Sequence, residues 1–203
     1  MRIFIGVALP LSLQKQLKKL LKVLERKHWP VKWEAIEKLH FTLVFLGEIP
    51  ESKIVIVKEI VREICQQLPS FSLEIKGLGC FPDYLFPKII WLGLKGDLKS
   101  LSFLQKQLKL KLKDQGFVID NRPFLGHVTL GRVKKAKMKQ LQEIGRQLKA
   151  LREMEIGVEW HVKEVIIFQS QILSQRSKYY KVAEILLKNQ NYKEEKWQIS
   201  MLK

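Results

Sequence analysis

Acidic residues, cysteine and histidine are all scarce. The 203-residue chain has 20 Asp plus Glu against 37 Lys plus Arg, with two cysteines and four histidines. The acidic deficit leaves a formal net charge of +17. Such a surplus favours polyanions, nucleic acid or an acidic membrane surface, although solvated lysines alone produce the same sum. Cys65 and Cys80 form no C-x-x-C pair. They read as two free thiols in a reducing compartment, not as a redox motif. Long apolar runs are missing too. None approaches the roughly 20 residues of a membrane span. The short run after Arg2 ends at Pro10, so no secretory leader is expected. The cytoplasm is the default location and no membrane partner is expected. There is no G-x-x-x-x-G-K-S/T, G-x-G-x-x-G or G-x-S-x-G segment, which weighs against a P-loop hydrolase, a Rossmann cofactor site and a serine nucleophile elbow. No long segment is low in complexity.

What is present is a foldable chain, 46% hydrophobic and 28% charged. It can bury one large core or two small lobes sharing a cleft. Ile3 to Leu9 reads as a core strand. Ser12 is placed to cap a helix whose inner face is Leu13, Leu17, Leu20, Leu21 and Leu24, at spacings of three and four. Lys38 to Leu46 is the next strand. A second helix starts near Pro50 and Ser52 with the stripe Val57, Ile60, Val61, Ile64 and Leu68. Phe71 to Lys76 alternates apolar with polar, the pattern of a half-buried strand. A loop GLGCFPDYLFPK separates it from a strand at Ile89 to Leu94. A third helix spans about Leu98 to Gly116, a strand surrounds His127 to Val133, and a fourth helix spans about Lys137 to Arg152. Strands at Val162 to Phe168 and Tyr179 to Leu187 flank a turn at Ser174 to Ser177. This order predicts an α+β protein in which helices cover sheets. The period-2 segment argues against a wholly parallel sheet.

Two of the four histidines sit in matching H-x-T-L contexts 87 residues apart, His40 to Leu43 and His127 to Leu130. His28 and His161 lack that context and read as structural or surface residues. Strand alternation puts His40 and Thr42 on one face, opposite Phe41, Leu43 and Phe45. The same parity joins His127 to Thr129. Two opposed imidazoles suit phosphoryl transfer to water: one neutral ring takes a proton from the attacking oxygen and one charged ring gives a proton to the leaving oxygen. Threonine hydroxyls can donate to non-bridging phosphate oxygens. No spacing supplies a full set of metal ligands, so neither a metal nor another cofactor is expected. Strict alternation would turn Arg132 away from the cleft. A bend at Gly131 would bring it in, where a guanidinium suits a phosphate. Lys32, Trp33 and the Phe81 to Phe86 loop could offer charge and stacking to a nucleotide, or serve as core and rim.

These residues resemble the 2H phosphoesterase superfamily, in particular the RNA 2',3'-cyclic phosphodiesterases, also called 2'-5' RNA ligases. The resemblance rests on RIFIGVALP, Trp33 followed by LHFTLVFLG, GLGCFP, GHVTLGR and FQSQILSQRSKYYKV. It implies two pseudosymmetric lobes of antiparallel sheet with outer helices around a central cleft. Residues 1–203 would form a single domain of two intertwined lobes, one motif in each. It implies His40 and His127 as the catalytic pair, with Thr42, Thr129 and Arg132 binding phosphate. The implied reaction is metal-independent opening of RNA 2',3'-cyclic phosphate ends to 2'-phosphomonoesters, with 2'-5' ligation as the reverse reaction in some members. His127 is taken as base and His40 as acid, an order the residues alone leave open. Gly126 departs from the proline many members carry there. The expected partners are RNA ends or nucleotides bearing a cyclic phosphate. No obligate protein partner is expected, and the chain should be a monomer. Alternatives are a 2H enzyme acting on another cyclic nucleotide or a 2'-5' oligonucleotide, and a noncatalytic RNA-binding protein.

Overall fold

The computed structural model describes residues 1–172 and 177–188. Its strands are β1 (Arg2–Ala8), β2 (Val31–Trp33), β3 (His40–Glu48), β4 (Phe71–Phe81), β5 (Ile89–Gly96), β6 (His127–Val133), β7 (Glu155–Val162), β8 (Glu164–Ile172) and β9 (Ser177–Leu186). Its helices are α1 (Leu11–Glu25), α2 (Ile54–Cys65), α3 (Leu98–Asp114) and α4 (Met138–Ala150). The strands form one antiparallel sheet in the order β7-β4-β5-β6-β3-β1-β8-β9, with β2 added on β6. The two expected lobes are therefore halves of a single sheet. They meet where β3 lies against β6, paired only at Phe41 and Val128. The two motif strands are thus central neighbours, each flanked by its own half.

Helical periodicity explains the outer layer. Leu13, Leu17, Leu21 and Leu24 of α1 are buried, as are Leu101, Leu104, Leu108 and Leu112 of α3. Each such leucine contributes about 1.5–3 kcal/mol by leaving water. Helix α2 packs on β8 and β9, and α4 on β4. Helices α1 and α3 cross over to the opposite half, α1 onto β7 and α3 onto β3. Each half of the sheet is thereby backed partly by chain from the other.

Several elements differ from the sequence reading. Ser12 is not the α1 cap: the helix begins at Leu11 with Pro10 before it and no side-chain cap. Proline preset to its fixed φ serves the entry instead. The glycines Gly77 and Gly79, read as loop, continue β4 through a bulge between Lys76 and Leu78. Strand β7 went unread, although Ile156, Val158, Trp160 and Val162 alternate with more exposed residues along it. The short β2 also went unread. The turn expected at Ser174 to Ser177 lies, apart from Ser177, outside the described residues. Cys65 and Cys80 are free and buried, and burial pushes their thiols up to about 12 and about 11. Neither thiol is set up as a nucleophile at neutral pH.

Candidate active site

Bulges decide which side chains face the cleft. In β3 the register against β1 shifts between Ile5 and Gly6, so Val44 and Thr42 are successive partners there. Leu43 and Val44 are both buried, and the alternation restarts one residue out of phase. Phe45, expected behind the strand with Phe41, is instead on the histidine face and lines the cleft. In β6 the same break falls between the pairs Ile90–Gly131 and Trp91–Thr129. Leu130 and Gly131 are both buried, and Arg132 turns to the histidine face. Gly131 contributes by close approach, not by a left-handed backbone: a Cβ there would lie 2.7 Å from Val31 and 2.8 Å from Trp33. That strand-over-strand contact holds β2 on β6.

His40, Thr42, His127, Thr129 and Arg132 all line one cavity of about 230 Å³. Arg2, Lys38, Glu34 and Tyr179 share it. Arg132 is 61% exposed and stands 4.0 Å from Glu34, a loose pairing that leaves the guanidinium accessible. His28 and His161 are elsewhere. His28 sits in a turn at φ 53°, and His161 meets the Ser72 hydroxyl on β4. Trp33 packs against the core and lies 6.4 Å from Trp29. Lys32 sits opposite Arg132 in the β2–β6 ladder.

The imidazoles are held in matching ways. His40 Nδ1 is 2.7 Å from the Lys38 carbonyl, and His127 Nδ1 is 2.7 Å from the Leu125 carbonyl. A carbonyl only accepts, so each Nδ1 carries the hydrogen, and Nε2 is left to exchange protons. Aromatic rings set the planes. His40 lies 4.8 Å from Phe4, 5.8 Å from Phe168 and edge-on to Tyr179 at 5.3 Å. Phe4, Ile166 and Phe168 form a small apolar cluster of their own beneath it. His127 meets Phe81 edge-on at 5.0 Å and Trp91 at 6.1 Å. Gly79 makes room for that indole, because a Cβ there would sit 2.2 Å from its ring.

Burial lowers both imidazole pKa values below the ordinary range. For His40 desolvation dominates, opposed by the Lys38 carbonyl and reinforced by the charge of His127. For His127 desolvation again dominates, opposed by the Leu125 carbonyl and reinforced by Arg132. Below pH of about 6.5 the unfolded chain takes up protons at these histidines while the folded chain stays neutral. Bound protons then favour the unfolded state, so stability rises with pH across that window. The prediction is that the urea midpoint falls between pH 7 and pH 5.5, and that it falls less steeply in a His40→Ala/His127→Ala double variant. Equal slopes would contradict the burial argument.

Sequence reasoning missed Arg2, Glu34, Lys38, Phe45, Ser170, Ser177 and Tyr179 as cleft residues. Arg2 and Phe4 share parity on β1, and both line the cavity. Ser170, Ser177 and Tyr179 fall within the segment FQSQILSQRSKYYKV, where no single residue stands out by type or spacing. Among the described residues, no group of three or more His, Cys, Asp or Glu side chains is arranged to hold a metal ion.

A curled antiparallel sheet whose two central strands each present a histidine and a threonine to one cleft defines a 2H phosphoesterase. A family model described as LigT like Phosphoesterase matches twice, at residues 7–91 and 93–179, one match to each motif. The chain belongs to the LigT-like phosphoesterase family. It is 34% identical over 169 residues to the RNA 2',3'-cyclic phosphodiesterase of Archaeoglobus fulgidus, covering 82% of this chain and 92% of that one. It is also 34% identical over 137 residues to the Thermotoga maritima protein of the same name, covering 66% and 71%. Among solved structures, a Thermus thermophilus protein superposes with a TM-score of 0.78 at 21% identity, covering 94% of this chain and all of that one. Escherichia coli LigT complexed with 3'-AMP superposes with a TM-score of 0.70 at 23% identity, covering 92% and 97%. At these identities the structural likeness concerns the fold.

Proposed function

We propose that the chain hydrolyses RNA 2',3'-cyclic phosphate ends to 2'-phosphomonoesters, with His40 and His127 as the acid–base pair. The observation that carries this reading is the pair of imidazoles on one cavity, each held through Nδ1 by a carbonyl two residues upstream. The names of the relatives point to the same substrate: several, from bacteria and archaea, are RNA 2',3'-cyclic phosphodiesterases. The related LigT has been crystallised with 3'-AMP and with phosphate, both compatible with a phosphate seat of this kind.

The cyclic phosphate sits between the two rings. Neutral His127 accepts a proton at Nε2 from water as the water oxygen bonds to phosphorus. The P–O3' bond breaks, and His40 donates its Nε2 proton to the departing O3'. The product carries a 2'-phosphate and a free 3'-hydroxyl. Desolvation disfavours the imidazolium at both rings, and the charge of Arg132 adds to it at His127, which favours that ring as the neutral base. Desolvation is the larger cause opposing charge on His40, and a neutral His127 removes the repulsion that adds to it. Arg132, Thr42 and Thr129 donate to the non-bridging oxygens, where negative charge grows. Ligation through a 2'-5' linkage is the same displacement with a 5'-hydroxyl in place of water: His127 takes the hydroxyl proton as O5' bonds to phosphorus, and O3' again leaves with the proton from His40. All the groups invoked lie within residues 1–188, and the interlocked halves act as one unit.

The test is turnover of a 2',3'-cyclic nucleotide in EDTA, followed by phosphorus NMR. The expected product is the 2'-phosphate. A 3'-phosphate, or no turnover, would refute the reading. Because both imidazoles have lowered pKa values, kcat/KM should follow a bell whose apex lies on the acid side of about 6.5.

A further inference from the structure

Hydrolysis by the two histidines uses only the polar cavity, yet the cleft does not end there. Each motif strand is bulged at the same place, so the fifth residue after each histidine faces the site. After His127 that residue is Arg132, and after His40 it is Phe45. Equivalent positions in the two halves thus carry a guanidinium on one side and a phenyl ring on the other. Phe45 is 43% exposed, and the Arg2 guanidinium lies over its ring at 5.0 Å. Phe45 thus adds a partly exposed aromatic ring, with Arg2 against one face, to the wall of the phosphate cavity.

Thr42, Phe45 and His127 also line a second depression of about 740 Å³. The furrow and the first cavity are neighbours that share those three residues in their walls. Its walls are largely apolar, with Phe81, Pro82, Ile119 and Phe124 among them. Lys88 and Arg122 add positive charge, and Arg122 is braced by Asp120 at 2.6 Å. A small polar chamber with cations suits the phosphate and ribose. A larger apolar furrow edged by cations suits flat bases whose backbone remains charged. Bases stack on aromatic rings with little regard to sequence, and backbone phosphates are held by Lys and Arg. Bases must be unpaired to be seated in this way, which favours single strands over duplex.

We propose that the furrow beside Phe45 seats the nucleotides on the 5' side of the cyclic phosphate, so that the preferred substrate is the end of a single-stranded RNA and not a free cyclic mononucleotide. This rests on the hydrolase reading above and adds where the strand lies. Phe45 is the first stacking surface, and Lys88 and Arg122 meet the upstream phosphates.

The experiment compares kcat/KM for a tetranucleotide ending in a 2',3'-cyclic phosphate with that for the matching cyclic mononucleotide. The tetranucleotide should be favoured at least tenfold, mainly through KM. Phe45→Ala should reduce that preference to about threefold or less, and Phe45→Trp should retain it. Lys88→Gln with Arg122→Gln should flatten the salt dependence of the tetranucleotide KM. Equal kcat/KM for the two substrates in the unaltered protein would overturn the proposal. So would a preference that survives Phe45→Ala undiminished. Binding of a tetranucleotide and of a mononucleotide, each ending in a 2'-phosphate, reads the same preference without turnover. Tight, Phe45-dependent oligonucleotide binding with no hydrolysis would count against the hydrolase reading and leave the strand path standing.

Discussion

His40→Ala and His127→Ala should each lower kcat on a 2',3'-cyclic phosphate by about 10²–10⁴, the usual worth of a positioned proton donor or acceptor. The double variant should be little worse than either single one, because the two rings act in one step. The singles should differ in one respect. A phosphodiester with a p-nitrophenolate leaving group needs no proton at its departing oxygen. On that substrate His40→Ala should recover most of its lost rate and His127→Ala should not. Recovery in His127→Ala alone would exchange the two roles. Recovery in neither would sink acid–base catalysis by this pair. Circular dichroism and urea midpoints near those of the unaltered protein would show that loss of rate is not loss of fold.

Arg132→Ala should lower kcat/KM by about 10²–10³, the cost of removing a charged donor aimed at the transition-state oxygens. Arg132→Lys should recover only part of this, since an ammonium cannot reproduce two parallel N–H donors. A second readout separates chemistry from packing. Without the guanidinium, His127 accepts a proton more readily, so the acidic limb of kcat/KM should move to higher pH. An unchanged limb with an unchanged rate would place Arg132 outside the site. Stability should hardly move, because the side chain is 61% exposed and its contact with Glu34 is long.

The motifs were legible because they are local. His40 with Thr42 and His127 with Thr129 follow from alternation over three residues, and no bulge interrupts those spans. Alternation failed beyond them. Phe45 and Arg132 each lie past a one-residue bulge, and a bulge reverses every later side chain. The same physics therefore put Phe45 on the wrong face and left Arg132 undecided. Strand β7 was legible in principle, with Ile156, Val158, Trp160 and Val162 in period two. Gly157 at φ 68° and the charged residues between them masked it. The aromatic wall behind His40 was not legible. Phe4, Phe168 and Tyr179 come from three strands distant in sequence and meet only through the order β3-β1-β8-β9. Nor was the crossing of α1 and α3 between halves, which no local pattern encodes.

Leaving-group chemistry and pH together separate the base from the acid. The measurement is the pH dependence of kcat/KM on the p-nitrophenyl substrate for His40→Ala and His127→Ala. His40→Ala should keep the rise from acid to neutral pH, set by deprotonation of His127. The residual activity of His127→Ala should lack that rise. If both variants keep the rise of the unaltered protein, neither histidine is the base, and the paired-histidine mechanism is wrong.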